Sequence, residues 1–223
     1  MTVLRAATTF ALLLSATSAW AVKPFSADYQ ATVKGVQADA QLVLSAAGGD
    51  RWNYRLNVEN PLGSVRQTTV FEDRSGAWRP LSGSDSTLML IKKSQTNATY
   101  DWGKGEARWS GDVKAGRMGP VKLQAGDLDA LMLNLVIVRD VAAGKPLNYR
   151  MVDQGVARQQ SYQVLGKETI MVGGKAQSAT KVSRSSDGKQ VILWVVDGLP
   201  VPARILQRDN GKDSLDLVLK SVR

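Results

Sequence analysis

Phe25-Ser26-Ala27-Asp28-Tyr29-Gln30-Ala31-Thr32-Val33-Lys34-Gly35-Val36-Gln37-Ala38-Asp39-Ala40-Gln41-Leu42-Val43-Leu44 is the stretch that decides the fold. Phe25, Ala27, Tyr29, Ala31 and Val33 alternate with Ser26, Asp28, Gln30, Thr32 and Lys34. Gly35 marks a turn, and Val36, Ala38, Ala40, Leu42 and Leu44 restart the same alternation. Side chains of a strand point to opposite faces in turn, so a period of two with glycine punctuation reads as an antiparallel meander with one face buried. Gly48-Gly49-Asp50 turns the chain again, and Trp52, Tyr54, Leu56 and Val58 alternate with Arg51, Asn53, Arg55, Asn57 and Glu59.

Further strands are expected around residues 65–72, 77–80, 87–100 and 106–110, after a loop at Asn60-Pro61-Leu62-Gly63. Toward the C-terminus, 147–152, 156–165, 168–172, 176–183, 190–196, 201–207 and 214–220 are separated by Asp153-Gln154-Gly155, Gly166-Lys167, Gly173-Gly174, Asp187-Gly188, Asp197-Gly198 and Asn210-Gly211, all of turn chemistry. Between the two runs lies one helix signal. Asp127 is placed as its N-cap and Asp129 in its first turn, where negative charge suits the dipole. Leu128, Leu131, Met132, Leu135 and Val138 share a face, Leu133, Val136 and Ile137 are apolar too, and Gly144 and Pro146 end the segment. A helix greasy nearly all round is covered on more than one side. The expected fold is mainly β: a single antiparallel, strongly curved sheet wrapped around one long helix.

Outward from this domain, the first residues are MTVLRAATTFALLLSATSAWA. A positive charge at Arg5, a short apolar run and Ala19-Trp20-Ala21 follow the secretory pattern, with cleavage near Ala21. A membrane-spanning helix needs roughly 20 apolar residues, more than this run or Leu128–Val138 supplies. The expected organisation is a signal peptide at 1–21 and a single β-rich domain at 22–223, soluble in the periplasm and without a transmembrane segment. The absence of cysteine removes both disulfides and the residue a lipid anchor needs.

Histidine is absent as well. Thiol nucleophiles, Ser-His-Asp triads and ordinary zinc sites are therefore excluded. Ser178-Ala179-Thr180-Lys181 matches the S-x-x-K pattern, which needs a helix start to bring Lys to Ser. In an expected strand, residues three apart face opposite ways. No catalytic residue, metal or cofactor is expected, and the chain reads as a non-enzyme. The formal charge is +9, from 29 basic and 20 acidic side chains. It suits solubility or an anionic partner. Export argues against nucleic acid.

The aromatic residues remain. A many-stranded sheet around a greasy helix can enclose a cavity. Trp52, Tyr54, Trp78, Trp109, Leu131, Leu135 and Trp194 are the expected lining of a site for a lipid or other apolar ligand. The alternative is a filled core and an interaction module that holds an envelope protein or an anionic envelope polymer.

The C-terminal half carries a resemblance. Tyr162-Gln163-Val164-Leu165-Gly166-Lys167-Glu168, Thr180-Lys181-Val182, Leu193-Trp194-Val195, Leu199-Pro200-Val201-Pro202-Ala203-Arg204-Ile205 and Leu215-Asp216-Leu217-Val218-Leu219 resemble domain-of-unknown-function family 3108, a set of exported bacterial proteins. Phe25-Ser26-Ala27-Asp28-Tyr29 and Asp127-Leu128-Asp129 resemble family positions too, and the proline pair Pro200/Pro202 departs from the pattern. The resemblance implies a half-open β-barrel wrapped on a helix, similar to periplasmic lipoprotein carriers of the LolA/LolB type, which hold acyl chains in their concave face. It implies no catalytic residues.

Overall fold

The computed structural model describes residues 22–223, so the expected signal peptide lies outside the described residues. Eight strands come first: β1 (Phe25–Val33), β2 (Val36–Ala46), β3 (Arg51–Asn60), β4 (Gly63–Arg74), β5 (Ala77–Met89), β6 (Lys92–Asp101), β7 (Glu106–Gly111) and the short β8 (Val121–Lys122). Helix α1 (Met132–Ala142) and a separate hairpin, β9 (Asn148–Asp153) with β10 (Val156–Ser161), follow. The chain ends in β11 (Gln163–Val172), β12 (Lys175–Ser186), β13 (Lys189–Val196), β14 (Arg204–Asp209) and β15 (Lys212–Val222).

β15 pairs antiparallel with β1, which fuses the two meanders into one thirteen-stranded sheet in the order β11-β12-β13-β14-β15-β1-β2-β3-β4-β5-β6-β7-β8. The end strands β11 and β8 do not pair, so the sheet stays open rather than closing as a barrel. Laid flat, thirteen strands would span about 60 Å, whereas the helix is about 16 Å long. Residues from β1–β4 and from β12–β15 nevertheless share one core with the helix, so the sheet must curl around it. The inner face is filled: Tyr29, Leu42, Tyr54, Phe71, Leu193, Leu217 and Leu219 pack with Met132, Ile137 and Val138, all fully buried.

Two expectations are corrected here. The helix is short, eleven residues, and starts a turn later than its apolar pattern. The Asp127 carboxylate is taken by the Arg150 guanidinium (2.5 Å) and the Gln124 N–H (2.8 Å), and Leu128 exchanges backbone hydrogen bonds with β9 instead of continuing a helix. Asp129 does the capping, its Oδ1 accepting the Met132 N–H at 2.7 Å. The far end matches the reading: Gly144 takes a positive φ while the Gly144 and Lys145 N–H groups reach back to the Val141 and Asp140 carbonyls.

The second correction concerns strand limits. The span 87–100 is not one strand but the end of β5, a two-residue turn at Leu90-Ile91, and β6. Conversely, Gly166-Lys167 is no turn. β11 runs through it with a register slip between Val164 and Gly166, a bulge that glycine accommodates. At Pro200-Val201-Pro202 pairing is delayed, and β14 begins only at Arg204. Among the described residues no helix is long and apolar enough to cross a membrane.

Candidate binding groove

With the inner face packed, the space that could take a ligand lies at its rim. A half-open groove of about 490 Å³ runs between the β4–β5 turn, the C-terminal half of α1, the loop Leu123–Gly126 and the start of β9. Its apolar wall is made by Trp78, Trp102, Leu123, Leu128, Val136 and Tyr149. Arg74, Arg79 and Arg139 line the same space.

The local chemistry explains how these groups are held. Trp78 sits on the inward side of β5, buried against Phe71 with ring centroids 5.7 Å apart. Arg139, near the end of α1, lays its guanidinium over the Trp78 ring at 4.7 Å, donates Nε–H to the neighbouring Asp140 (2.9 Å) and reaches the Gly76 carbonyl (3.2 Å). Cations favour the electron-rich face of an indole, and a basic residue in the last turn also suits the helix dipole. Arg79 lies over Trp102 at 5.2 Å and is ion-paired with Glu72, which Arg74 also contacts at 3.2 Å. Burial pushes the Glu72 carboxyl up, but the hydrogen bonds and charge of Arg79 and Arg74 outweigh it and hold it below its ordinary value. Trp102 is pinned by its indole N–H donating to the Pro80 carbonyl at 2.7 Å.

Among the described residues two buried polar atoms in this wall have no hydrogen-bond partner of good geometry: the Trp78 indole N–H, and the Tyr149 hydroxyl, which has the Asp140 carboxylate near it. Burial, and then the negative charge of the nearby Asp140, push the Tyr149 hydroxyl well above its usual range, so it stays a neutral donor. A buried donor without an acceptor is costly. A ligand carrying an oxygen acceptor would relieve either one.

Of the seven side chains expected to line a site, Trp78 alone lies in this groove. Tyr54, Leu131, Leu135 and Trp194 belong to the main core, with Trp52 half-buried against it. On β13, Leu193 pairs with the buried Val182 and Ile205, whereas the next residue, Trp194, turns to the other face between Lys181 and Arg204 (5.1 and 4.9 Å). Trp109 packs in a smaller cluster with Tyr100 and Leu123. Together with Leu131 it borders a space of only about 20 Å³, enough for a water. Three carboxyls line that space. Asp129 is pushed up to about 7 by burial, against hydrogen bonds from Thr69 and the Met132 N–H and with help from Asp153 and Asp85. Asp153 is pushed up to about 6 by burial and Asp85. Among the described residues no acidic group has the geometry of a metal site.

Sequence reading missed Trp102, Tyr149, Arg79 and Arg139. Trp102 did leave a signal. It follows β6 in the turn Asp101-Trp102-Gly103-Lys104, where no alternating core face calls for an indole. Nothing local in the sequence places Tyr149 or Arg139 beside it.

No curated protein matches this chain. Among solved structures, a β-barrel-like protein of domain of unknown function DUF1849 from Brucella abortus is similar at 12% identity and TM-score 0.46, covering 89% of this chain and 96% of that one. MucB is similar at 9% identity and TM-score 0.36, covering 90% of this chain and 52% of its own. The MucA/MucB complex of Pseudomonas aeruginosa gives 12% identity, TM-score 0.40, and coverages of 90% and 51%, so this chain spans about half the length of either MucB match. The sequence itself is more telling: residues 73–218, which include the whole groove lining but not the opening Phe25–Tyr29, match the family described as protein of unknown function DUF3108, and the chain belongs to that family.

Proposed function

We propose that this protein is a non-catalytic binding protein of the periplasm that holds an amphipathic ligand in the Trp78–Trp102–Tyr149 groove. The observation that carries this reading is the pairing of an apolar, aromatic wall with arginines and two buried donors that lack acceptors of good geometry. A groove of about 490 Å³ is within the size range of small-molecule sites. The ligand that fits this chemistry has an apolar body, such as an acyl chain, and an oxygen-rich or anionic group. Chemistry beyond binding has no support in a sequence without histidine or cysteine. The filled inner face favours the rim over the concave face as the place of binding.

Native mass spectrometry of the exported chain, prepared without detergent, tests this. A stoichiometric passenger recovered by solvent extraction is expected, and it should be lost in Trp102→Ala, a change outside the main core. A bare polypeptide mass, with tryptophan emission unmoved by fatty acids or phosphatidylglycerol, would sink the reading.

A second reading has its own observation. β11 is an edge strand that exposes Val164, Leu165 and Met171 beside unpaired backbone groups. Such an edge can accept a strand from another protein. A photo-crosslinker at Leu165 should then capture a discrete envelope partner, and failure to do so at native expression removes this alternative.

A further inference from the structure

The tip of the β5–β6 hairpin departs from the turn chemistry that six other two-residue turns share, although the adjacent Pro61-Leu62 turn departs from it as well. The two-residue turns Lys34-Gly35, Ser75-Gly76, Gln154-Gly155, Gly173-Gly174, Asp187-Gly188 and Asn210-Gly211 each have positive φ at both positions and glycine at the second. That is the chemistry such turns prefer. At Leu90-Ile91 the chain instead places leucine at φ 54°, a conformation that a bulky side chain rarely adopts. The residues so presented are not packed. Leu90 is 74% and Ile91 100% exposed, and Leu88 and Met89 are also exposed.

The neighbouring turn joins this surface. The Leu90 N–H donates to the Leu62 carbonyl at 3.0 Å, and Leu62 is exposed as well. Gly63 allows the approach, because a Cβ there would lie 2.1 Å from the Leu88 carbonyl oxygen. The result is one apolar knob at the end of a projecting ribbon. Directly behind it come Lys92 and Lys93, both exposed, and among the described residues neither is ion-paired. The acid nearby, Glu59, is taken by Arg66 at 3.5 Å.

We propose that this knob docks the protein on an anionic lipid bilayer, with Leu62, Leu88, Met89, Leu90 and Ile91 entering the interface and Lys92 and Lys93 meeting the headgroups. Apolar residues capped by lysines match the layering of a membrane surface, apolar within and negative at the headgroups. A protein pocket would require a complementary shape, and among the described residues nothing covers the fully exposed Ile91. The proposal does not depend on the groove, which lies at the opposite end of β4 and β5, roughly 36 Å away along the strands.

Co-sedimentation with vesicles tests it, using phosphatidylcholine alone and phosphatidylcholine mixed with phosphatidylglycerol. The wild-type chain should bind the anionic vesicles, less so at high salt. Lys92→Gln should weaken binding about fivefold. Leu90→Asp with Ile91→Asp should abolish it. The decisive variant is Leu90→Asn with Ile91→Gly, which gives this turn the chemistry of the six glycine-bearing hairpins. It should fold at least as well as wild type and still lose about tenfold or more in vesicle binding. The proposal is overturned if wild type ignores anionic vesicles, if the Asn-Gly variant binds them as wild type does, or if the tip instead drives self-association in sedimentation equilibrium.

Discussion

The sheet contains two regions made of the same backbone and governed by different forces. In β13, Ile192 to Val196 are all buried, on both faces of the strand, and Leu193 shares the core that holds the helix with Leu217 and Leu219 of β15 and Tyr29 of β1. In the β5–β6 arm, no residue from Leu81 to Thr99 is buried. Between its base and its apolar tip the cross-strand pairs Ser84–Asn97, Asp85–Thr96, Ser86–Gln95 and Thr87–Ser94 are polar on polar. The first region is held by burial, at about 25 cal/mol per Å² of apolar surface. The second is held by its backbone ladder and by the turn that sets its register. An arm of this kind adds little to a core, and it leaves the residues at its tip free for contact with something else.

The largest effect should separate the two regions directly. Leu217→Ala should cost about 2–5 kcal/mol in a urea titration, whereas Leu90→Ala should stay within about 0.5 kcal/mol of wild type. Equal losses would break the distinction.

Next in size is a pH effect at the joint between them, where Asp129 meets Asp85 and Asp153. Because Asp129 sits at about 7 in the fold against 3.8 ordinarily, and Asp153 at about 6, the folded chain retains protons that the unfolded chain has released. Stability should therefore be full below about pH 4 and fall, on the order of a few kcal/mol, as pH rises to about 7. Glu72, held below its ordinary 4.5, acts in the opposite sense and only at lower pH. Urea midpoints across this range should show the decline, and Asp129→Asn, which keeps a cap acceptor for the Met132 N–H, should shrink it to the part that Asp153 contributes.

Gly63→Ala comes third. Its new Cβ meets the Leu88 carbonyl oxygen and the Met89 sulfur, so a loss of about 1–3 kcal/mol is expected despite the exposed setting. A neutral result would show that the arm yields freely at its base. The smallest effect is a gain: Leu90→Asn with Ile91→Gly should add at most about 1 kcal/mol by relieving the left-handed leucine, readable as a higher Tm.

Much of the packed region was legible in advance because its information is local. Period-two alternation in Phe25–Leu44 and glycines at the tight turns fix which side chains face inward, whatever lies opposite. The arm was harder. Residues 87–100 read as one strand because Leu90-Ile91 offers no glycine, asparagine or aspartate to mark the reversal. The apolar pattern from Leu128 to Val138 overran the true helix start for a different reason. Asp127 is committed to Arg150, and Leu128 to the backbone of β9, partners more than 20 residues away.

The sequence by itself determined the β class, the strand alternation and most turns, and, through the absence of cysteine and histidine, the chemistry excluded. Tertiary structure alone decided that the inner face is filled, that the helix starts after Asp129, and that Trp78, Trp102, Arg139 and Tyr149 share one groove. The physical reason is range. Alternation and turn preference are set by neighbours along the chain, whereas a groove at a sheet's rim depends on how far the sheet curls, and that is fixed only when distant strands compete for one short helix.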